Sequence, residues 1–199
     1  MNQYNSHQIW QGFHWSFFVN IQGLIICLSR FEKHLTSGNL SQAKIELKTA
    51  SDLMLASGAA MSLAGSFSRA EYEEYIRPTM APPNVQSADF SGLMSWDHAW
   101  LMQIWKRLRP HFQQLPTALQ PQHERFVQAY FELATAHKAV CQKFGGEETG
   151  SLRFDRGNAL KTLDKFALSR WQQLDPDRTT PGCPFHQASS QGSNLSQDS

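Results

Sequence analysis

His137 and Cys141, four residues apart, are the pair in this chain best spaced for joint chemistry. On a helix they lie one above the other on a single face, about 6 Å apart along the axis. Tyr130 and Ala134 precede them on that face and Phe144 follows. An imidazole beside a thiol in an apolar stripe suits one large flat ligand: the imidazole binds a metal at its centre while the thiol reaches its rim. A second histidine, His98, stands upstream with 38 residues between it and His137. Spacing alone leaves other readings open. One histidine and one cysteine on an apolar face are more often core residues than ligands. Asp97, His98, His137 and Cys141 could also form a donor set for zinc or iron with no organic ligand.

Helices must position these groups. The 199 residues suffice for one domain with a proper core, and the pattern places that domain at 1–175. Residues 176–199 turn Pro-, Ser-, Gln- and Gly-rich, which predicts a disordered tail. A net charge of +1 without a basic cluster argues against nucleic acid and against an anionic membrane as partners. Three cysteines, Cys27, Cys141 and Cys183, make no disulfide framework, so a reducing cytoplasm is the expected compartment. The start lacks the basic n-region of a signal peptide. The apolar run from Phe13 to Leu28 is interrupted by His14, Asn20 and Gln22 and reads as a buried helix, too short for a bilayer.

In chain order, the apolar repeat Trp10, Phe13, Phe17, Ile21, Leu24, Leu28, Phe31 predicts a first helix over about 9–35, with His14 and Cys27 as core residues. Ser37-Gly38-Asn39 breaks it and caps a second helix, about 40–65. That helix carries Ile45, Leu47, Ala50, Leu53 and Met54, then the small residues Ser57-Gly58-Ala59-Ala60 for close helix approach. Ser68 to Glu71 forms a capping box opening a short helix through Tyr72 and Tyr75, expected to stop at Arg77-Pro78. Met80 to Gly92 reads as an extended loop, a lid or wall. Ser95 caps a helix over about 96–114, with Asp97 and His98 in its first turn and apolar edges from Trp96, Trp100, Leu101, Ile104, Trp105 and Leu108. Pro121 opens the helix that ends at Gly145-Gly146, and a last helix covers about 155–174. The short connector predicts that the His98 and His137 helices pack antiparallel as neighbours. Five or six amphipathic helices and no strand make an all-α bundle, a usual host for metals and cofactors.

The spacing His98, His137, Cys141 resembles the haem-binding signature of the bacterial haem-dependent tyrosine hydroxylases, peroxide-using enzymes related to tryptophan 2,3-dioxygenase. The run HKAVCQKFGGEETGSLRF, His137 to Phe154, is similar to the dioxygenases' proximal-histidine helix and substrate loop. The similar segments cover roughly residues 72–154. The resemblance implies a tryptophan 2,3-dioxygenase-like helical core holding haem, with His137 as axial ligand to iron and Cys141 in a thioether to the rim. It implies His98 across the iron as the proton-moving group, and Thr149, Gly150 and Ser151 around the amino acid's charged end. Arg77 or Arg153 would complete that clamp or pair with a haem propionate, the alternative for each being an ordinary ion pair. Ser91, Trp96 and Trp100 are pocket candidates by position.

The reaction so implied is hydroxylation of an aromatic ring, L-tyrosine or a derivative to a catechol, by hydrogen peroxide. A dioxygenase acting on an indole with O2 and a non-enzymatic bis-histidine haem carrier or sensor are the rival readings. The chain is shorter than typical family members, so part of the substrate chamber is expected to be missing or to come from a second subunit of a homodimer. The Cys183-Pro184 dipeptide resembles one found in haem-regulated proteins, a short match that arises often by chance.

Overall fold

The computed structural model describes residues 5–85, 95–145 and 159–176, and all regular structure among them is helical. Helix α1 (Ser6–Thr36) starts at a capping box in which Asn5 and Gln8 exchange bonds, one turn earlier than the apolar repeat suggested. Gly38, at φ 73°, supplies the left-handed residue that turns the chain into α2 (Leu40–Ala64), whose first turn is capped by Asn39. The Ser68–Glu71 box forms as expected and opens α3 (Arg69–Glu71).

The path does not stop at Arg77-Pro78. It widens into a π-helical turn (Tyr72–Ile76) and tightens into a 3-10 turn (Arg77–Met80) that ends at Ala81. Pro78 falls in the first turn of the new segment, where its missing N–H leaves no bond unmade. Helices α4 (Trp96–Gln113), α5 (Gln120–Gly145) and α6 (Ala159–Leu174) follow, with a 3-10 turn (Thr117–Leu119) joining α4 to α5.

Two kinds of helix contact build the bundle. The close kind joins α1 to α2 and α2 to α5. A Cβ on Gly58 would sit 3.6 Å from the Leu133 Cα, and one on Gly65 would sit 3.1 Å from Val140 Cγ2. The two contacts lie seven residues apart on both chains, so α2 and α5 run parallel. The small-residue stripe on α2 therefore serves close helix approach. The wide kind joins α4 to α5, whose backbones scarcely touch. Their rings meet instead: Phe112 stacks on His123 with centroids 4.7 Å apart, and Trp105 stands edge-on to Tyr130 at 5.5 Å. The two helices are antiparallel as expected, but close packing goes to other partners, α1 for α4 and α2 for α5. Helix α6 packs on both α4 and α5, held by Lys138 on Asp164 at 2.9 Å, Phe131 on Trp171, and His123 on the Leu174 carbonyl.

The main core centres on Leu28, Phe31, Leu47, Met54, Ile104, Leu108 and Phe126, all fully enclosed. A second cluster, Phe13, Met61, Phe67, Tyr72, Ile76, Val140 and Phe144, closes the end of the bundle where α5 finishes. His14 and Cys27 fall where core residues should, His14 bonded through Nδ1 to the Trp10 carbonyl at 2.8 Å. Ile45 departs from expectation and is exposed, since the buried line of α2 runs through Ala43, Leu47, Ala50 and Met54. Helix α1 is also long and apolar enough to cross a membrane by length and composition, unlike the short run first read there. One face of it is core, while Trp15, Val19 and Ile26 are exposed.

Gly58 tests the close contact. Gly58→Ala should leave stability within about 1 kcal/mol, since a methyl group fits at van der Waals distance and alanine favours helix. Gly58→Val should cost about 1–3 kcal/mol by forcing α5 outward, read as a lower denaturation midpoint. Equal stability of the two variants would remove Gly58 from the packing.

Candidate functional site

The ring pairs between α4 and α5 set a register. Phe112 meets His123, and seven residues back Trp105 meets Tyr130, seven residues on. Seven residues are close to two helical turns, about 10.5 Å, and return to nearly the same face. Continued by residue count, this antiparallel register pairs position 98 with position 137. His98, Trp105 and Phe112 are all buried, which keeps that face of α4 turned inward along its length.

His98 sits in the first turn of α4, its backbone N–H donating to Ser95 Oγ at 3.2 Å. His137 lies half-buried in the last third of α5, and burial, with help from the Arg170 charge, pushes its pKa down to about 4. It is a neutral imidazole at ordinary pH. Cys141 follows one turn later, and burial pushes its thiol up to about 11, so it stays protonated. Tyr72 is near enough to Cys141 and Arg77 to feel both, and its own burial raises its hydroxyl to about 12. The Tyr72 ring stacks on Phe144 with centroids 4.5 Å apart, which fixes the π-helical turn against the end of α5. Burial thus favours the neutral forms of Tyr72, His137 and Cys141.

This donor set fits a haem better than a bare metal. Among the described residues, no three His, Cys, Asp or Glu side chains lie close enough together to hold an ion. The zinc-like set with Asp97 is therefore not assembled. A neutral imidazole is the form that could bind iron, and a thiol one turn away is placed where it could reach a ligand's rim.

Other candidates fare differently. Arg77 is engaged by Glu73 at 3.2 Å, an ion pair within its own turn. Trp96 is 92% exposed and Trp100 56% exposed, so neither lines an enclosed pocket. Ser91, Thr149, Gly150, Ser151, Arg153 and Cys183-Pro184 lie outside the described residues, as does the tail. A groove lined by Gln113, Leu115, Pro121, Arg125, Gln128 and Asp175 among others is at the opposite end of the bundle, beside the α4–α5 connector.

Two residues of the site escaped the sequence reading. Arg170 reaches it from α6, near enough for its charge to act on Tyr130 and His137. Trp105 supplies the spacer ring between the helices. A signal for Trp105 was present in its seven-residue spacing from His98; Arg170 had none, because only the fold brings α6 across α5.

Comparison with known proteins places the chain in a family. The 3-methyl-L-tyrosine peroxygenase of Streptomyces lavendulae is 30% identical over 174 residues, covering 86% of this chain and 47% of its own length. The chain thus spans about half of that relative. No solved structure matches. The sequence profile of the SfmD 3-methyl-L-tyrosine peroxygenases matches residues 1–122, more than half of the chain, and the chain belongs to that family.

Proposed function

We propose that this protein is a haem-dependent peroxygenase that hydroxylates the ring of an aromatic amino acid, L-tyrosine or a derivative, to a catechol with hydrogen peroxide. The observation that supports the reading is the antiparallel register of two ring pairs in contact, which by residue count would bring His98 and His137 to the next step. Family membership supports the reaction class, because the relative's name specifies a peroxygenase of a methylated tyrosine. The tryptophan 2,3-dioxygenase-like architecture remains part of the same proposal.

His137 would hold the iron through its neutral imidazole. Cys141 would hold the rim, its S–H adding across a vinyl C=C so that sulfur bonds one carbon and the proton goes to the other. Haem supplies the redox chemistry that peroxide alone does too slowly on a phenol ring. His98 supplies proton transfer: one ring nitrogen takes a proton from hydrogen peroxide and returns it to the oxygen that leaves as water. A histidine-ligated iron lacks the push of a thiolate, so this acid–base partner matters more here. The Tyr72–Phe144 stack and the second apolar cluster keep bulk water from the Cys141 side. The facing histidines equally suit a six-coordinate haem carrier. A purified low-spin protein unresponsive to peroxide would select that second reading.

Three outcomes test the proposal. Intact mass of the denatured holoprotein should retain haem in wild type and lose it in Cys141→Ala; haem lost from both would remove the thioether. His98→Ala should keep its haem yet fall in peroxide-driven tyrosine hydroxylation by roughly 100-fold or more, the usual weight of acid–base catalysis. Undiminished turnover would take His98 out of the mechanism.

The third is a pH dependence of the haem-free chain. The folded pKa of His137, about 4, lies below the ordinary 6.5. Above pH 6.5 the site is neutral in both folded and unfolded chains. As pH falls through 6.5 towards 4, the unfolded chain gains a proton that the folded one refuses. Stability should therefore drop over that window, by at most about 3 kcal/mol, and the loss should level off below it. Urea midpoints at neutral pH and near pH 4.5 should differ less in His137→Gln than in wild type. An identical pH dependence in both would contradict the buried, neutral imidazole.

A further inference from the structure

Among the described residues, one face of helix α1 is left uncovered. The exposed residues Gln8, Gly12, Trp15, Val19, Gln22 and Ile26 form a single stripe there, at alternate steps of four and three. That is the spacing of a seam between two helices. Trp15 is 74% exposed and Val19 62%, while the opposite face of α1 packs on α2 and α4. On α4, Trp96, Trp100 and Arg107 share one line of the helix, and Arg107 reaches Glu32 of α1 at 2.7 Å. The two exposed tryptophans therefore extend the α1 surface. An apolar surface of this breadth marks a place where something binds.

The stripe carries no charge, because no Asp, Glu, Lys or Arg precedes Arg30 in the chain. A charged partner would find no counter-charge on it. A helix built to lie on a bilayer is rich in Lys and Arg beside its apolar face, and this one is not. A second copy of the same stripe brings no charge to bury. The shape is also self-complementary about Val19: Ile26 stands seven residues after it and Gly12 seven before. A Cβ on Gly12 would meet nothing within 4 Å, so that place is open. An antiparallel pair with its two-fold axis at Val19 seats each Ile26 over the Gly12 of the other copy and opposes the helix dipoles.

We propose that two copies of this chain associate through this face, α1 against α1 and antiparallel about Val19, with Trp15 and Trp100 as aromatic anchors. Interface centres are depleted in charge and enriched in aromatic rings, as this face is. One helix stripe falls short of the roughly 800 Å² that each partner of a standard interface buries, so the α4 tryptophans belong to the contact. The pairing is independent of haem.

Sedimentation equilibrium of the purified full chain over the micromolar range should show a dimer. Val19→Glu sets two carboxylates face to face at the axis and should weaken it by roughly 100-fold or more. Its circular dichroism should not change, since position 19 is exposed. Ile45→Glu, the same kind of change at an exposed site on α2, should leave the dimer intact. In a Cys183→Ser background, a short bismaleimide should join Val19→Cys to its counterpart. Ile26→Cys, which the axis sets about 21 Å from its counterpart, should not be joined. A monomer at every concentration overturns the proposal, and sedimentation of that monomer with phosphatidylcholine vesicles would assign the stripe to lipid instead. A dimer that survives Val19→Glu, equal weakening by Ile45→Glu, or crosslinking at Ile26→Cys overturns the antiparallel contact as well.

Discussion

The spacing between α4 and α5 is the constraint on which the rest of the structure depends. Helices that meet through glycine and alanine close to contact distance, as α2 and α5 do at Gly58. Helices that meet through a tryptophan and a tyrosine cannot. The Trp105–Tyr130 and Phe112–His123 pairs hold α4 and α5 apart by the thickness of their rings. A pair of small residues at either rung would let the helices collapse together and leave the histidine rung no depth.

The apolar corner also decides protonation. Burial lowers His137 and raises Cys141, Tyr72 and Tyr130, in each case favouring the uncharged form. A neutral imidazole keeps its lone pair available to a metal, and a protonated thiol carries the hydrogen that addition to a double bond consumes. Arg170 is the exception, a cation at the edge of this region whose field further disfavours protonation of His137. A surface histidine with the same neighbours in sequence would titrate near neutrality and hold metal only at higher pH.

Most of the scaffold was legible in the sequence because its determinants are local. The Ser68–Glu71 box, the Ser95 cap and the apolar repeat of α1 depend on neighbours within one or two turns, and all three appear where they were read. The Arg77-Pro78 stop failed because proline's restriction is met just as well by a change of helix type as by an end. Trp96 and Trp100, read as an apolar edge, are exposed. Periodicity marks an apolar edge but cannot say whether another helix covers it, and α4 turns the face of Leu101, Ile104 and Trp105 to the core instead. Arg170 was illegible in principle, since its meaning comes from a helix that crosses α5 at long sequence range.

The parallel contact of α2 with α5 links the scaffold to the chemistry. Gly58 lies against the backbone of Leu133, which is one helical turn before His137, and Gly65 lies against Val140, the residue preceding Cys141. Lys143 then fastens the end of α5 to the Gly65 carbonyl at 2.6 Å. The height of both candidate ligands along the bundle is therefore set by α2, inside the matched family profile, although His137 and Cys141 lie beyond its end. Helix α4 sets the opposite wall through His98 and the spacer rings. A change in the small residues of α2 would shift His137 and Cys141 together relative to His98, altering the site without touching any of its side chains. That coupling explains why glycine is suited to position 58 even though an alanine would fit: the closer the backbones, the less α5 can slide.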